Sequence, residues 1–183
     1  MQFSWGLFVL VMGMTMVSGC KNLHRIEGNW WRSAQPKPEW LKGFIEEKQI
    51  EVILCLRGDR RGATDHDAVV ATAEEFDVPV VPIELSAHRP LTREQVLALL
   101  DFLEKNREKS VLVHCQGGAD RSGLMAFLYL VEVRGWDKKR AKLRALNCTY
   151  GHLTCPLNPW TAPEMGRFAD AWQSAAWARQ NYR

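Results

Sequence analysis

Two residues able to do covalent chemistry stand close together in this chain, Cys115 and Arg121, with Gln116-Gly117-Gly118-Ala119-Asp120 between them. Glycine lets the backbone curl until several N–H groups point at one spot, and such a spot suits an oxyanion. A helix beginning at Arg121 adds unpaired N–H donors and a partial positive charge, while the guanidinium offers a fork to two phosphate oxygens. The same field favours a thiolate, so Cys115 is the expected nucleophile. Without function, the stretch would be a buried cysteine before an ordinary glycine turn.

That chemistry needs a strand end, a loop and a helix start brought together. Val111, Leu112 and Val113 form a short apolar run after the polar break at Lys109 and Ser110, and apolar residues then recur at Leu124, Phe127, Leu128 and Val131 with helical spacing. Cys115 is therefore expected at the C-terminal edge of a strand. Upstream, Pro38 to Gln49 carries Trp40, Leu41, Phe44 and Ile45 on one helical face. Ile50 to Leu56 reads as a strand, and Arg57 to Gly62 as a charged, solvated turn. Asp65 to Phe76 reads as a second amphipathic helix and Val78 to Leu85 as a buried strand.

Thr92 and Gln95 make a capping box for a helix bearing Val96, Leu99, Leu100 and Leu103. Asp137 caps a helix through Leu146 that turns Lys138, Lys139, Arg140, Lys142 and Arg144 outward, as a solvated face or as a patch for an anionic substrate or headgroup. Gly151 to Pro163 is loop-like, and Pro163 to Arg179 reads as one final helix. Strands near 52, 78 and 111 separated by helices imply a three-layer α/β domain with a central, largely parallel sheet.

The segment His114-Cys115-Gln116-Gly117-Gly118-Ala119-Asp120-Arg121-Ser122-Gly123 resembles the signature of the cysteine-dependent protein tyrosine phosphatases, particularly the dual-specificity branch. Asn29 to Pro36, with Arg32, Ser33 and Pro36, resembles the opening strand of bacterial and fungal members, so the likeness covers roughly residues 28 to 147. It implies a three-layer protein tyrosine phosphatase-like fold with a mostly parallel sheet flanked by helices. It also implies a two-step phosphomonoester hydrolysis through a phosphocysteine on Cys115, without metal or cofactor. By the family pattern the backbone of Gln116, Gly117, Gly118, Ala119, Asp120 and Arg121 binds phosphate, Ser122 supports the leaving thiolate and His114 helps hold the loop.

Ser86 to Pro90 is where that family keeps the aspartate that serves as general acid, and this sequence has none there. His88 lies at or beside the position and donates a proton best below about pH 6.5. Asp120 competes, because phosphoinositide-directed relatives use a loop aspartate in that place and a carboxylate facing bound phosphate is kept protonated by like charge. Glu84 ranks third and Asp59 is a weaker candidate. The substrate class, whether phosphoprotein, phosphorylated lipid or sugar, stays open.

Met1 to Gly19 has no charged side chain and is too short for a comfortable membrane span, so it reads as a signal peptide. Val17-Ser18-Gly19-Cys20 resembles the lipobox of bacterial lipoproteins, which implies export, a lipid on Cys20, membrane attachment and the periplasmic face of the outer membrane. Residues 20–27 are then a tether and 28–183 the phosphatase-like domain. Cys55 is expected as a reduced core residue, while Cys148 and Cys155 suit a disulfide in an oxidising compartment or, with His152, an incomplete zinc site. A net charge of +3 points to no nucleic acid partner. Two other functions fit a cysteine on a cradle loop: a rhodanese-like sulfurtransferase and a non-catalytic phosphate-binding module.

Overall fold

In the computed structural model, which describes residues 22–147 and 163–181, five strands form one sheet. They are β1 (His24–Glu27), β2 (Trp30–Ser33), β3 (Val52–Cys55), β4 (Val80–Pro82) and β5 (Val111–His114), in the spatial order β1-β2-β5-β3-β4. Only the β1–β2 pair is antiparallel; the other three pairings are parallel. Every residue of β3 and β5 is buried, which is why both read as unbroken apolar runs: a parallel sheet covered on two faces has no solvent side to alternate towards.

Alternate side chains serve different layers. Val52, Leu54, Val111 and Val113 join a core with α3 (Arg93–Asn106), α4 (Asp120–Leu128), α5 (Lys138–Ala145), α6 (Pro163–Ala171) and α7 (Ala175–Asn181). Ile53 and Leu112 join the core under α1 (Pro38–Lys48) and α2 (Thr64–Glu74). The three-layer α/β architecture expected from the sequence is present.

The caps follow local chemistry. Thr92 and Gln95 form the expected box, Thr92 N–H donating to Gln95 Oε1 at 2.8 Å and Gln95 N–H to Thr92 Oγ1 at 3.4 Å. Asp137 accepts from the Arg140 amide at 3.0 Å.

Four expectations are corrected. His24–Glu27, inside the stretch read as tether, is a strand paired with β2. The strand read as Val78 to Leu85 is confined to Val80–Pro82 at the sheet edge, where Pro82 offers no ladder N–H. The last helix is two helices, because Glu132 accepts from the Trp172 indole at 2.7 Å and the Ala175 amide at 3.1 Å while Ser174 Oγ accepts from the Trp177 amide at 3.0 Å, starting a new helix. The basic face of α5 is only in part solvated: Lys139 and Arg140 are exposed, but Lys138 donates to the Asp170 and Trp172 carbonyls, Lys142 pairs with Asp170, and Arg144 donates to the Arg25 carbonyl.

Residues 1–21 and 148–162 fall outside the described part, and with them Cys20, the Cys148 and Cys155 pair and most of the Gly151 to Pro163 loop. Among the described residues no helix is long and apolar enough to cross a membrane.

Candidate active site

Cys115 follows directly on β5, buried to 2% exposure, and four loop residues, Gln116 to Ala119, lead to α4. The Gly118 amide donates to Cys115 Sγ at 3.2 Å, and Ser122 Oγ lies 3.6 Å from the sulfur. Strand, loop and helix thus meet where the residue spacing requires.

The loop is held from outside. The Gln116 carbonyl accepts from the Gln35 amide at 3.2 Å, the Gly117 carbonyl from Asn22 Nδ2 at 2.6 Å, the Gly118 carbonyl from Arg32 Nη2 at 2.8 Å, and the Ala119 carbonyl from Arg32 Nη2 at 2.7 Å. In a trans peptide the N–H points opposite to the preceding carbonyl. Four oxygens fixed outward therefore turn the amides of Gly117, Gly118, Ala119 and Asp120 inward, a concave cluster of donors beside the sulfur. Arg121 closes the ring: its Nη1 donates to the carbonyls of Leu56 and Leu85 at 3.3 and 3.4 Å. Its Nε and Nη2 have no partner among the described residues, so a two-pronged donor is left for an oxyanion.

Gly123 completes the packing behind the loop. A Cβ there would lie 2.9 Å from the Ala145 carbonyl oxygen and 2.7 Å from Leu146 Cδ2, so α5 can approach α4 only over a glycine.

The acid candidates separate. Asp59 is held well below the usual carboxylate range, chiefly by its hydrogen bonds from the Arg61 side chain, and a carboxylate kept ionised is a poor proton donor. Glu84 is exposed and lines an open cavity of about 490 Å³ with Arg57, Asp59, Arg60, Arg61 and Ala63; no phosphate-loop residue lines it. His88 sits on an exposed turn, its amide donating to Ser86 Oγ at 3.2 Å, three residues past the Leu85 carbonyl that Arg121 grips. Asp120 is half-buried at the first position of α4. Among these, only Asp120 lies within the segment from Cys115 to Arg121.

Sequence reasoning missed three participants. Arg32 is 2% exposed and ties the loop to α5. Gln35 and Arg57 are linked, Arg57 Nη1 donating to Gln35 Oε1 at 2.8 Å and pairing with Asp65; the turn read as solvated thus begins with a largely buried cation. The signal available was a basic residue inside an otherwise apolar strand. Cys55 is buried and free as expected, with His66 Nδ1 4.0 Å from its sulfur, and burial pushes its thiol up.

His114 is wholly buried and neither ring nitrogen forms a hydrogen bond, although the Cys115 backbone is near enough to favour the charged form slightly. Burial, with the positive charges of Arg57 and Arg121 adding to it, pushes its imidazole down to about 3. The ring is therefore neutral in the fold but takes up a proton in the unfolded chain below about pH 6.5. Its contribution is complete above that pH and is lost as the pH falls towards 3, at about 1.4 kcal/mol per unit. Urea unfolding at pH 5 is expected to give a stability about 2 kcal/mol below that at pH 7, and His114→Asn to flatten the difference. His24, whose imidazole is also lowered by partial burial and by Arg32 and Arg144, adds a smaller loss of the same sign in this window, whereas Asp59 and Asp65, whose carboxyls are lowered by arginine partners, act only below about pH 4. Equal stability at the two pH values would contradict the neutral, buried ring.

Residues 14–154 match the family model described as DSP-PTPase phosphatase fused to NAD+ Kinase. The dual specificity protein phosphatase TpbA of Pseudomonas aeruginosa is 31% identical over 121 residues, which are 66% of this chain and 51% of the relative; the chain spans about half the length of the curated relatives it matches. The crystal structure of a P. aeruginosa TpbA variant in complex with pTyr superposes with a TM-score of 0.62 at 25% identity, covering 88% of this chain and 90% of that one. The core catalytic domain of the PP-IP phosphatase SIW14 from S. cerevisiae, in complex with citrate, gives a TM-score of 0.64 at 14% identity over 90% and 95% of the two chains, a likeness of fold alone.

Proposed function

We propose, because this chain belongs to the DSP-PTPase phosphatase family, that it hydrolyses phosphomonoesters through a phosphocysteine on Cys115. The observation that carries this is the sulfur 3.2 Å from the Gly118 amide in a loop whose successive carbonyls are tied outward. The Cys115 thiolate attacks phosphorus, and the bond from phosphorus to the leaving oxygen breaks as a proton reaches that oxygen. Water then attacks phosphorus and gives a proton back to the donor deprotonated in the first step, the sulfur–phosphorus bond breaks, inorganic phosphate departs and the Ser122 hydroxyl donates to the restored thiolate. The loop amides and the Arg121 fork gain most where charge grows on the equatorial oxygens.

Asp120 and His88 are the proposed proton donors, with Glu84 third. The substrate is a phosphorylated protein or phosphorylated lipid; the pTyr complex of a relative supports the first. We place the protein outside the cytoplasm, anchored through lipid on Cys20.

One assay series tests these assignments. Purified protein is expected to turn over p-nitrophenyl phosphate and not thiosulfate with cyanide; the reverse would make it a sulfurtransferase, and phosphate binding without turnover a binding module. With a poor leaving group, Asp120→Asn or His88→Gln is expected to slow turnover by about 10²-fold or more, and no effect from these or from Glu84→Gln would remove all three candidates. Activity is expected in the membrane fraction and, with Cys20→Ala, in the soluble one; unchanged partition would exclude the lipid anchor.

A further inference from the structure

Arg32 is a cation with 2% exposure on β2, inside the central sheet, a placement that costs several kcal/mol unless its donors are used. They are used on the loop after Cys115 and on the end of α5. Nε and Nη2 donate to the Gly118 carbonyl at 3.2 and 2.8 Å, Nη2 also to the Ala119 carbonyl at 2.7 Å, and Nη1 to the Ala145 carbonyl at 2.6 Å. Ala145 is the last residue of α5, where the helix dipole presents its negative end, so a positive group there is electrostatically favoured. Gly123, the glycine of the signature, has a would-be Cβ 3.2 Å from Arg32 Nη2, so a larger residue at that position would crowd the guanidinium.

We propose that Arg32 is a positioning residue for the phosphate loop: its guanidinium holds the Gly118 and Ala119 peptide planes with their carbonyls outward and lays a fixed positive charge behind the donors that face the sulfur. This rests on Cys115 being the nucleophile. Arg32 lies on the outer side of the peptide planes and acts through the loop, while Asn22 on Gly117 and the Gln35 amide on Gln116 extend the same rim. Lysine replaces it only in part, since one ammonium does not span three carbonyls in two elements.

The test compares wild type with Arg32→Met, Arg32→Lys and the peripheral Asn22→Ala. Three readouts separate positioning from bulk stability: kcat and KM for p-nitrophenyl phosphate, inhibition by inorganic phosphate, and alkylation of the Cys115 peptide by iodoacetate at pH 6 and pH 9, read by mass spectrometry. Circular dichroism reports the fold. In folded Arg32→Met, kcat/KM is expected to fall by about 10²-fold, phosphate inhibition to weaken, and alkylation to slow about tenfold at pH 6 but little at pH 9. Arg32→Lys is expected to lie between, and Asn22→Ala to show a smaller loss of the same kind. If Arg32→Met does not fold, the Lys and Asn22 variants decide. Wild-type phosphate inhibition and pH 6 alkylation in the folded variants would overturn the proposal, whereas wild-type protein without phosphatase turnover would instead overturn the reading on which it rests.

Discussion

Cys115→Ser is expected to lower p-nitrophenyl phosphate turnover by at least about 10⁴-fold, the scale on which enzymes lose rate when a covalent nucleophile is removed. Inorganic phosphate should still bind, because the donors that hold it are backbone amides fixed by carbonyl ties to Asn22, Arg32 and Gln35 and do not depend on the sulfur. The fold should also survive. The serine hydroxyl inherits the Gly118 amide and Ser122 as partners, so the stability change is expected within about 1 kcal/mol. Titration of the variant with phosphate alongside the turnover assay checks both halves; retention of more than a small fraction of activity would assign the chemistry to another group.

Gly118→Ala is expected to damage fold and activity together. Gly118 has φ +69, a conformation that costs a non-glycine residue about 1 kcal/mol or more. The added Cβ would also sit 2.4 Å from the Ala34 amide nitrogen and 2.7 Å from the Ser33 carbonyl carbon, both backbone, so the loop must lift away from β2. That movement breaks the geometry Arg32 enforces. A stability loss of about 2 to 4 kcal/mol and a fall in kcat/KM of about 10²-fold are expected. Gly117→Ala is the control: nothing lies within 4 Å of its would-be Cβ, and a much smaller effect on both is expected. Denaturant midpoints and p-nitrophenyl phosphate kinetics on the two variants distinguish steric failure at one glycine from a general intolerance of the loop.

What could be read from the chain alone was whatever leaves a short-range signature. The apolar runs of β3 and β5, the Thr92–Gln95 box and the strand–loop–helix around Cys115 are each contained within one short, continuous stretch of chain. The hydrogen bonds that shape the loop are not: Arg32 meets Gly118 from 86 positions away and Ala145 from 113, separations that leave no periodicity. The break before α7 depends on Glu132, 40 positions from Trp172, so an apolar pattern running through it looked like one helix. Arg57 looked like part of a solvated turn because its partners Gln35 and Asp65 come from two other segments. The proton donor was obscure for a chemical reason, since Ser86 to Pro90, where the resemblance implies an aspartate, holds His88 and no aspartate.

The central claim is a covalent bond between Cys115 and phosphorus, and rapid quench of wild-type protein with p-nitrophenyl phosphate, followed by mass spectrometry of the peptide carrying Cys115, tests it most directly. The expected result is a phosphoryl group on that cysteine within a single turnover and none in Cys115→Ser. Full turnover with that peptide unmodified at every quench time, or with phosphorus on another residue, would contradict it.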